Sequence, residues 1–279
     1  MSGQINLEDA AHCLTLLKSQ ATDFYLADLL LPENGRNAII ALHAFHVEIT
    51  NITLSGGEPM AGQLRLQWWV EVLQGQRRDE GMGHPVARAL LQVIDNYRLP
   101  IAGFEAKLEA HIFDLYQDPM GTRTDFEAYL GETRSCLFQW AGLILGASAN
   151  ADLANASGHS GVATGIVGVL ENIGHSHNRG QVYVPDELLA AIGMSPEQFL
   201  AAPTEKHQDV VGGLIDLAHE HQMKALNAVQ GLAPECRRAF KPLALVPLYL
   251  KNAEKAGLEI FKRGSSPSQM RKQWALWRF

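Results

Sequence analysis

Helical periodicity runs through almost the whole of this 279-residue chain. Apolar side chains recur three or four residues apart, and no segment alternates apolar and polar residues as a half-buried strand does. Two stretches, 155–174 and 205–231, are long and weakly interrupted, as in a large helical bundle. One of the apolar rows consists of Met60, Leu64, Trp68 and Val72. No linker, repeat or low-complexity segment divides the chain, so the sequence predicts one all-α domain over residues 1–279.

Local signals predict where some of these helices begin and end. Thr124 with Glu127 has the spacing of a capping box, which predicts a helix that starts there and runs to Gly146. Ser195 followed by Pro196 predicts an N-cap with proline at the first helical position. Both signals agree with the all-α interpretation.

Charge and cysteine content exclude several classes of protein. Lysine and arginine number 23 against 30 aspartate and glutamate residues, which gives a formal net charge of −7. An acidic chain of this kind lacks the basic surface that nucleic-acid binding needs. The three cysteines are far apart and form no C-x-x-C pair, so they predict neither a zinc site nor a disulfide framework. A reducing compartment suits them best.

Neither a targeting segment nor a membrane span is expected. The stretch Met1–Asp9 has no basic region and carries two acidic residues, unlike a secretory or transit peptide. No run of 18 apolar residues occurs, so we expect no helix that crosses a membrane.

Several short blocks along the chain form a recognisable pattern. They are residues 23–32 (DFYLADLLLP), Arg36 with residues 41–45, Leu64-x-x-x-x-Trp69, Asp114-Leu115 with Tyr129, and Arg179-Gly180-x-x-Tyr183-x-Pro185. Together with the stretches 41–54 and 168–185, these blocks resemble the squalene/phytoene synthase family. The resemblance implies an isoprenoid (terpenoid) synthase-like helical bundle with a central cavity.

The paired aspartates of that family are absent here. Active members carry D-x-x-x-D in each of two helices, and the matching pairs in this chain are Thr50 with Leu54 and Asn172 with Ser176. Head-to-head prenyl coupling ionises an allylic diphosphate, whose charge is stabilised by Mg²⁺ ions that prefer carboxylate ligands. None of the four residues supplies a carboxylate. Asp23 stands where the enzymes have a serine that meets diphosphate, Gln181 replaces an arginine, and Val70 replaces an arginine or lysine. Together these three changes lead us to expect that diphosphate is repelled.

A non-catalytic branch of the family matches this chain better than the enzymes do. Its matching pieces include residues 65–69 (RLQWW), 84–87 (HPVA) and 248–250 (LYL). This branch includes the mitochondrial complex I assembly factor of phytoene-synthase type and related alphaproteobacterial proteins, and it also lacks the paired aspartates. The resemblance implies a catalytically inactive protein, without a cofactor, that binds a client such as a complex I subunit. It implies a place in the bacterial cytoplasm or the mitochondrial matrix, peripheral on the inner membrane.

The resemblance also indicates which side chains line the cavity besides the four degenerate motif positions. These candidates are Asp23, Arg36, His46, Glu48, Asn51, Tyr129, Glu171, His175, Arg179 and Tyr183. Two alternatives to a binding protein stay open: an active prenyl-diphosphate transferase with Mg²⁺ on atypical ligands, and a carrier of an isoprenoid lipid. A metal site is conceivable at His46, Glu48, Glu171 and His175, but we expect none, since histidines that line a cavity or the surface are the simpler interpretation.

The C-terminal segment combines basic and aromatic residues on a short helix predicted over Ser268–Phe279. Interfacial helices on anionic membranes have such a composition, so this cluster predicts a partner or membrane surface. Its members are Arg271, Lys272, Trp274, Trp277 and Arg278. The alternative is that the aromatic side chains pack back onto the bundle.

Overall fold

The computed structural model describes residues 5–54 and 58–279, which form eighteen α-helices and contain no strand. The first helices are α1 Leu7–Gln20, α2 Thr22–Asp28, α3 Glu33–Leu54, α4 Pro59–Leu73, α5 Arg78–Gly83, α6 Pro85–Tyr97, α7 Ile101–Ala110, α8 Arg123–Leu130 and α9 Cys136–Ile144. The remaining ones are α10 Ala151–Glu171, α11 Ile173–Asn178, α12 Asp186–Ala191, α13 Pro196–Phe199, α14 Glu205–Gln230, α15 Pro234–Arg237, α16 Val246–Ala256, α17 Ile260–Arg263 and α18 Gln269–Arg278. The predicted all-α class is confirmed.

Helix α3 lies at the centre of the N-terminal half. It packs against α1, α4, α6 and α9, and residues 38–47 are buried almost without interruption. This burial follows from its sequence, because the run AIIALHAF has apolar side chains on every face and only a helix surrounded by others can bury them all. The two histidines in this part of the helix are therefore placed inside the protein.

Helix α10 is the matching central element of the second half, and it packs along α14 and against residues 131–135. Those five residues form a π-helical turn between α8 and α9. A Cβ atom at Gly161 of α10 would lie 2.3 Å from the Ser135 Cα, so only glycine allows this close approach. The wide turn and α10 together bring residues 133 and 134 to face the interior.

Several predicted helix ends are confirmed, and the helix predicted from Thr124 to Gly146 is wrong. Ser195 caps α13 with Pro196 at its first position, and the predicted long stretches correspond closely to α10 and α14. The capping box near residue 124 is formed by Thr122 and Asp125 instead, because the Asp125 carboxylate accepts the Thr122 amide proton at 2.8 Å. The predicted helix to residue 146 is interrupted by the π-helical turn.

None of the described helices combines the length and the apolar character that a membrane crossing requires. Part of the N-terminal stretch considered for targeting, residues 1–4, lies outside the described residues.

Candidate functional site

The four degenerate motif positions line one cavity of about 80 Å³ between α3 and the α10–α11 junction, here called the motif cavity. Thr50 and Leu54 enter it from α3, and Asn172 and Ser176 enter it from the opposite side. The Thr50 hydroxyl donates to the carbonyl of the residue one turn earlier at 2.9 Å, and the Asn172 amide does the same at 2.9 Å. Two of the three polar side chains therefore already bond their own helix.

A buried carboxylate, Asp114, forms the floor of the motif cavity. It accepts hydrogen bonds from His111 Nδ1 at 2.6 Å and from the hydroxyls of Tyr129 and Tyr183, each at 2.7 Å. Burial alone would raise the pKa of Asp114, but these hydrogen bonds outweigh it and hold the pKa below its ordinary value. Asp114 is thus an ionised carboxylate saturated by three neutral donors.

One buried and one partly buried cation stand beside this carboxylate. Lys107 is fully buried on α7, and its ammonium donates to the Thr133 carbonyl and lies 3.4 Å from His111 Nε2. Burial lowers the pKa of Lys107 to about 8. Arg134 lines the motif cavity, and its guanidinium donates to His46 Nε2 at 2.9 Å.

Burial first, then the nearby Lys107 and Arg134 charges, hold the pKa of His46 well below its ordinary value. His46 is therefore neutral, and its Nε2 is an acceptor. Arg134 forms no ion pair with a carboxylate of the described residues, so its charge remains directed at the cavity.

A second cavity of about 160 Å³ adjoins the motif cavity and is mainly apolar; it is called the apolar cavity below. The two share Arg134, Gly168 and Asn172 in their walls. Its other lining residues are Asp23, Phe24, Leu137, Phe138, Thr164, Val167, Glu171, Pro242, Leu245, Val246 and Tyr249. Arg134 therefore stands at the boundary between a polar and an apolar compartment.

Asp23 lines the apolar cavity but does not face it as a free charge. Lys272 Nζ lies 2.7 Å from Asp23 Oδ1 as an ion pair without hydrogen-bond geometry, and the Tyr249 hydroxyl donates to Asp23 Oδ2 at 2.6 Å. Lys272 also donates to the Tyr249 hydroxyl and to Ser266 Oγ. The placement of Lys272 on a partner or membrane surface is wrong, because it is only 6% exposed and neutralises Asp23. For the same reason Asp23 contributes less to the expected repulsion of diphosphate than an unpaired carboxylate would.

Three further cavity candidates lie in the walls of this region. Tyr129 and Tyr183 line the motif cavity through their contact with Asp114. Glu171 lines the apolar cavity, and its Oε2 accepts from the Ser265 amide at 3.0 Å and hydroxyl at 3.1 Å. Arg179 lines neither cavity, and its guanidinium donates at 3.0 Å to the carbonyl of Thr53, a residue of the motif cavity wall.

His46 also lines neither cavity, although it bonds Arg134 in their shared wall, and four other candidates lie elsewhere. Glu48 sits about 200° around α3 from Thr50 and lines a separate groove with Asn51, whose amide bonds Gln20. Arg36 donates to the Leu31 carbonyl at the start of α3. His175 is exposed. The predicted place in the cavity lining is therefore wrong for six residues: Arg36, His46, Glu48, Asn51, His175 and Arg179.

The alternative metal site is not assembled. His46 bonds Arg134, Glu171 bonds Ser265, and the other two proposed ligands lie outside the cavities. Within residues 5–54 and 58–279, no three histidine, cysteine, aspartate or glutamate side chains are arranged to hold a metal ion. Hydroxyls and an amide already bonded to main-chain carbonyls, beside a guanidinium, do not fit Mg²⁺, which prefers carboxylate oxygens.

Sequence reasoning missed two residues that dominate the electrostatics of the site, Arg134 and Lys107. One signal was available, since Arg134 is the only charged residue between Glu132 and Asp152. A lone cation in so apolar a stretch indicates an interior role. No comparable signal marks Lys107, whose helix also carries Glu105 and Glu109.

Comparisons with known proteins agree with this architecture. The family model for squalene/phytoene synthase matches residues 17–278. A rat protein named NADH dehydrogenase (ubiquinone) complex I, assembly factor 6, is 28% identical over 252 residues, covering 90% of this chain and 75% of the relative. Phytoene synthase from Rhodobacter capsulatus is 24% identical, covering 82% of this chain and 68% of the relative.

Among solved structures, a dehydrosqualene synthase bound to a ligand superposes with a TM-score of 0.82 at 21% identity, covering 97% of this chain and 95% of that one. This likeness shows a shared fold. With the family match over residues 17–278, it leads to one conclusion: the chain belongs to the squalene/phytoene synthase family.

Proposed function

We propose that this chain is a catalytically inactive family member that acts by binding, in the assembly of respiratory complex I. The observation that carries the proposal is the motif cavity, which keeps the position of the two Asp-rich motifs but receives no carboxylate from any of the four motif residues. The similarity to proteins named as complex I assembly factors, over 90% of the chain, supports a role in complex I assembly.

The chemistry of the motif cavity supports this choice. Ionisation of an allylic diphosphate needs divalent cations beside the leaving group, and carboxylates normally hold them. The one carboxylate of the motif cavity, Asp114, has its oxygens engaged by His111, Tyr129 and Tyr183. The proposal therefore includes no cofactor, and Mg²⁺ would matter only if the chain were an enzyme with atypical ligands.

The proposed client is a protein, a subunit or an intermediate of complex I. The chain would work in the bacterial cytoplasm or in the mitochondrial matrix, as a peripheral protein at the inner membrane where complex I is built. Its net charge of −7 disfavours nucleic acid as a partner.

Two measurements test the proposal. The first incubates the purified protein with farnesyl or geranylgeranyl diphosphate and Mg²⁺ or Mn²⁺, and we expect no squalene-like or phytoene-like product. The second complements a deletion strain with Thr50→Val plus Asn172→Leu, and we expect the wild-type level of complex I. Metal-dependent turnover would overturn the inactive assignment. Loss of complex I with a folded double variant would mean that the motif cavity holds something essential.

A second candidate function, an isoprenoid-lipid carrier, is favoured by the apolar cavity and by the cation at its edge, which has no carboxylate partner among the described residues. Arg134 would bind an anionic headgroup while the apolar walls take part of the chain. Solvent extraction and mass spectrometry of protein purified from its native host test this. A stoichiometric isoprenoid that is lost on Val167→Phe, which would fill the apolar cavity, would support the carrier role; extraction of no lipid would exclude it.

A further inference from the structure

A broad apolar surface is formed where α18 runs beside the end of α2. The two helices enclose an open groove of about 480 Å³. Trp274 is 60% exposed and Trp277 is 69% exposed, although tryptophan normally buries most of its surface. This surface, here called the docking face, consists of Leu29, Leu30, Met270, Trp274, Trp277 and Phe279.

The exposure of the tryptophans does not reflect a loosely held helix. On the inner side of α18, Leu276 is fully buried against Ala27, Leu245 and Tyr249. The buried Lys272 adds its ion pair with Asp23. Because both inner anchors belong to the same ten-residue helix, α18 is fixed and presents its aromatic side outward.

The surroundings of the docking face are basic in an acidic protein. Arg237, Arg238 and Lys241 line an adjoining pocket together with Trp277 and Phe279. The Arg278 guanidinium lies 5.8 Å from the Trp274 ring centroid. No aspartate or glutamate occurs from residue 260 to residue 279, whereas the whole chain has a net charge of −7. The basic and apolar groups are therefore concentrated on one side.

We propose that the docking face binds the surface of an anionic membrane. Tryptophan prefers the headgroup level of a bilayer, where its ring is half immersed and its N–H stays hydrated. Leucine, methionine and phenylalanine beside it enter the acyl boundary, and arginines around them meet anionic headgroups. A helix of ten residues is only about 15 Å long, so α18 is too short to cross a bilayer and would bind at its surface. This inference deepens the proposed peripheral location and rests on it.

Vesicle co-sedimentation of the full chain tests the docking face without any client. One set of vesicles is pure phosphatidylcholine, and in the other roughly a third of the lipid is phosphatidylglycerol, whose negative charge attracts basic residues. We expect binding to the anionic vesicles that is at least about tenfold stronger, because each basic residue near such a surface strengthens binding about fivefold. Brominated lipids should quench the fluorescence of Trp274 and Trp277.

Two variants probe the two contributions. Trp274→Ala with Trp277→Ala should reduce binding at least about tenfold, and Arg271→Glu with Arg278→Glu should abolish the preference for anionic vesicles. The matched controls are Met60→Ala with Leu64→Ala, which are exposed apolar residues on α4, and Lys18→Glu with Arg65→Glu, which change the charge equally. Thermal unfolding verifies that every variant is folded.

The outcomes separate the docking face from the assembly role. Equal binding to both vesicle types, undiminished binding of the tryptophan variant, or binding only to an acidic protein would overturn the membrane proposal. Vesicle binding by a protein that contributes nothing to complex I level would support the docking face and overturn the assembly role. Normal complementation by a variant that no longer binds vesicles would overturn the link between the two.

Discussion

The motif cavity and the docking face differ in how their polar and charged groups are used. In the motif cavity, Asp114 has three donors, and Thr50 and Asn172 bond carbonyls of their own helices. On the docking face, two tryptophans are exposed and the cations around them meet few carboxylates. Groups that are satisfied within the protein stabilise it, whereas groups that remain available can bind something else. This difference favours the docking face over the motif cavity as the part of the molecule that carries the proposed function.

One residue of the interior departs from this contrast. Arg134 borders both cavities, and among the described residues its guanidinium has a neutral imidazole but no carboxylate as partner. Burial lowers the pKa of Arg134, which shows how unfavourable the location is for a charge. The interior thus keeps one group that is still able to hold an anion.

The largest effect is expected when the hydrogen bonds to Asp114 in the motif cavity are lost. Asp114→Ala leaves three buried donors without an acceptor, so we expect the free energy of unfolding to fall by about 3–5 kcal/mol. Urea denaturation measures it. The matched control is Asp95→Ala, an exposed residue paired with Arg78, which should change stability little. A small loss for Asp114→Ala would mean that water, and therefore ligand, enters the cavity freely.

The sharpest test uses two neighbouring basic residues of α18. Lys272→Ala removes the cation beside Asp23, and we expect a loss of about 2–4 kcal/mol, discounted for the partial exposure of Asp23. Arg271→Ala should leave stability within about 0.5 kcal/mol but weaken binding to anionic vesicles. Thermal unfolding and co-sedimentation are measured on both variants. If both variants lost the same stability and the same vesicle binding, the distinction between an interior Lys272 and an exposed Arg271 would be wrong.

A third effect concerns pH and the buried cation of α7. Burial lowers the pKa of Lys107 to about 8, whereas an unfolded lysine has a pKa of about 10.4. Between these values the unfolded chain binds more protons, so the free energy of unfolding should rise with pH, by up to about 3 kcal/mol. The comparison is wild type against Lys107→Met in urea at pH 7.5 and pH 10. The control is the variant Lys255→Met, which changes an exposed lysine. If the free energy of unfolding changed equally with pH in all three proteins, the lowered pKa of Lys107 would be contradicted.

The smallest effect is expected from the ligands of the active enzymes. Mg²⁺ with a non-hydrolysable farnesyl diphosphate analogue should shift Tm by less than about 1 °C, whereas a ligand at a hundredfold excess over Kd would add about 2.7 kcal/mol of stability. Differential scanning fluorimetry measures the shift. A rise of several degrees that Arg134→Gln abolishes would show a working anion site and would move function back into the cavities.

The sequence predicted the fold class and most long helices because periodicity and caps are local properties. Helices α10 and α14 appear close to where the pattern placed them. The capping box at Thr122 was missed because Thr124 with Glu127 has the same spacing two residues later. The π-helical turn at residues 131–135 was missed because no local signal marks it, and it packs against Gly161, which is distant in sequence.

The site was less predictable, since partners far apart in the chain decide it. Lys272 was predicted to lie on the surface because its neighbours in sequence are aromatic and basic. In the structure its side chain is buried in an ion pair with Asp23. Glu48 and Asn51 were assigned to the cavity by proximity to Thr50, although helical geometry turns them to another face. Arg134 was not predicted, because the comparison with the family motifs concerned the carboxylates that are missing and not the cations that remain.

The contact between Asp23 and the C-terminal third also has a consequence for how the chain reaches its native state. Asp23 and Tyr249 are separated by 226 positions, so the contact of α2 with the C-terminal third cannot form until nearly the whole chain has left the ribosome. Closing so long a loop is entropically costly and occurs late in folding. During this interval Leu26 of α2 and Leu30 just after it, which pack against the C-terminal cluster in the folded protein, remain uncovered on the nascent chain. We therefore expect α2 to be the segment on which chaperone binding and aggregation during synthesis concentrate.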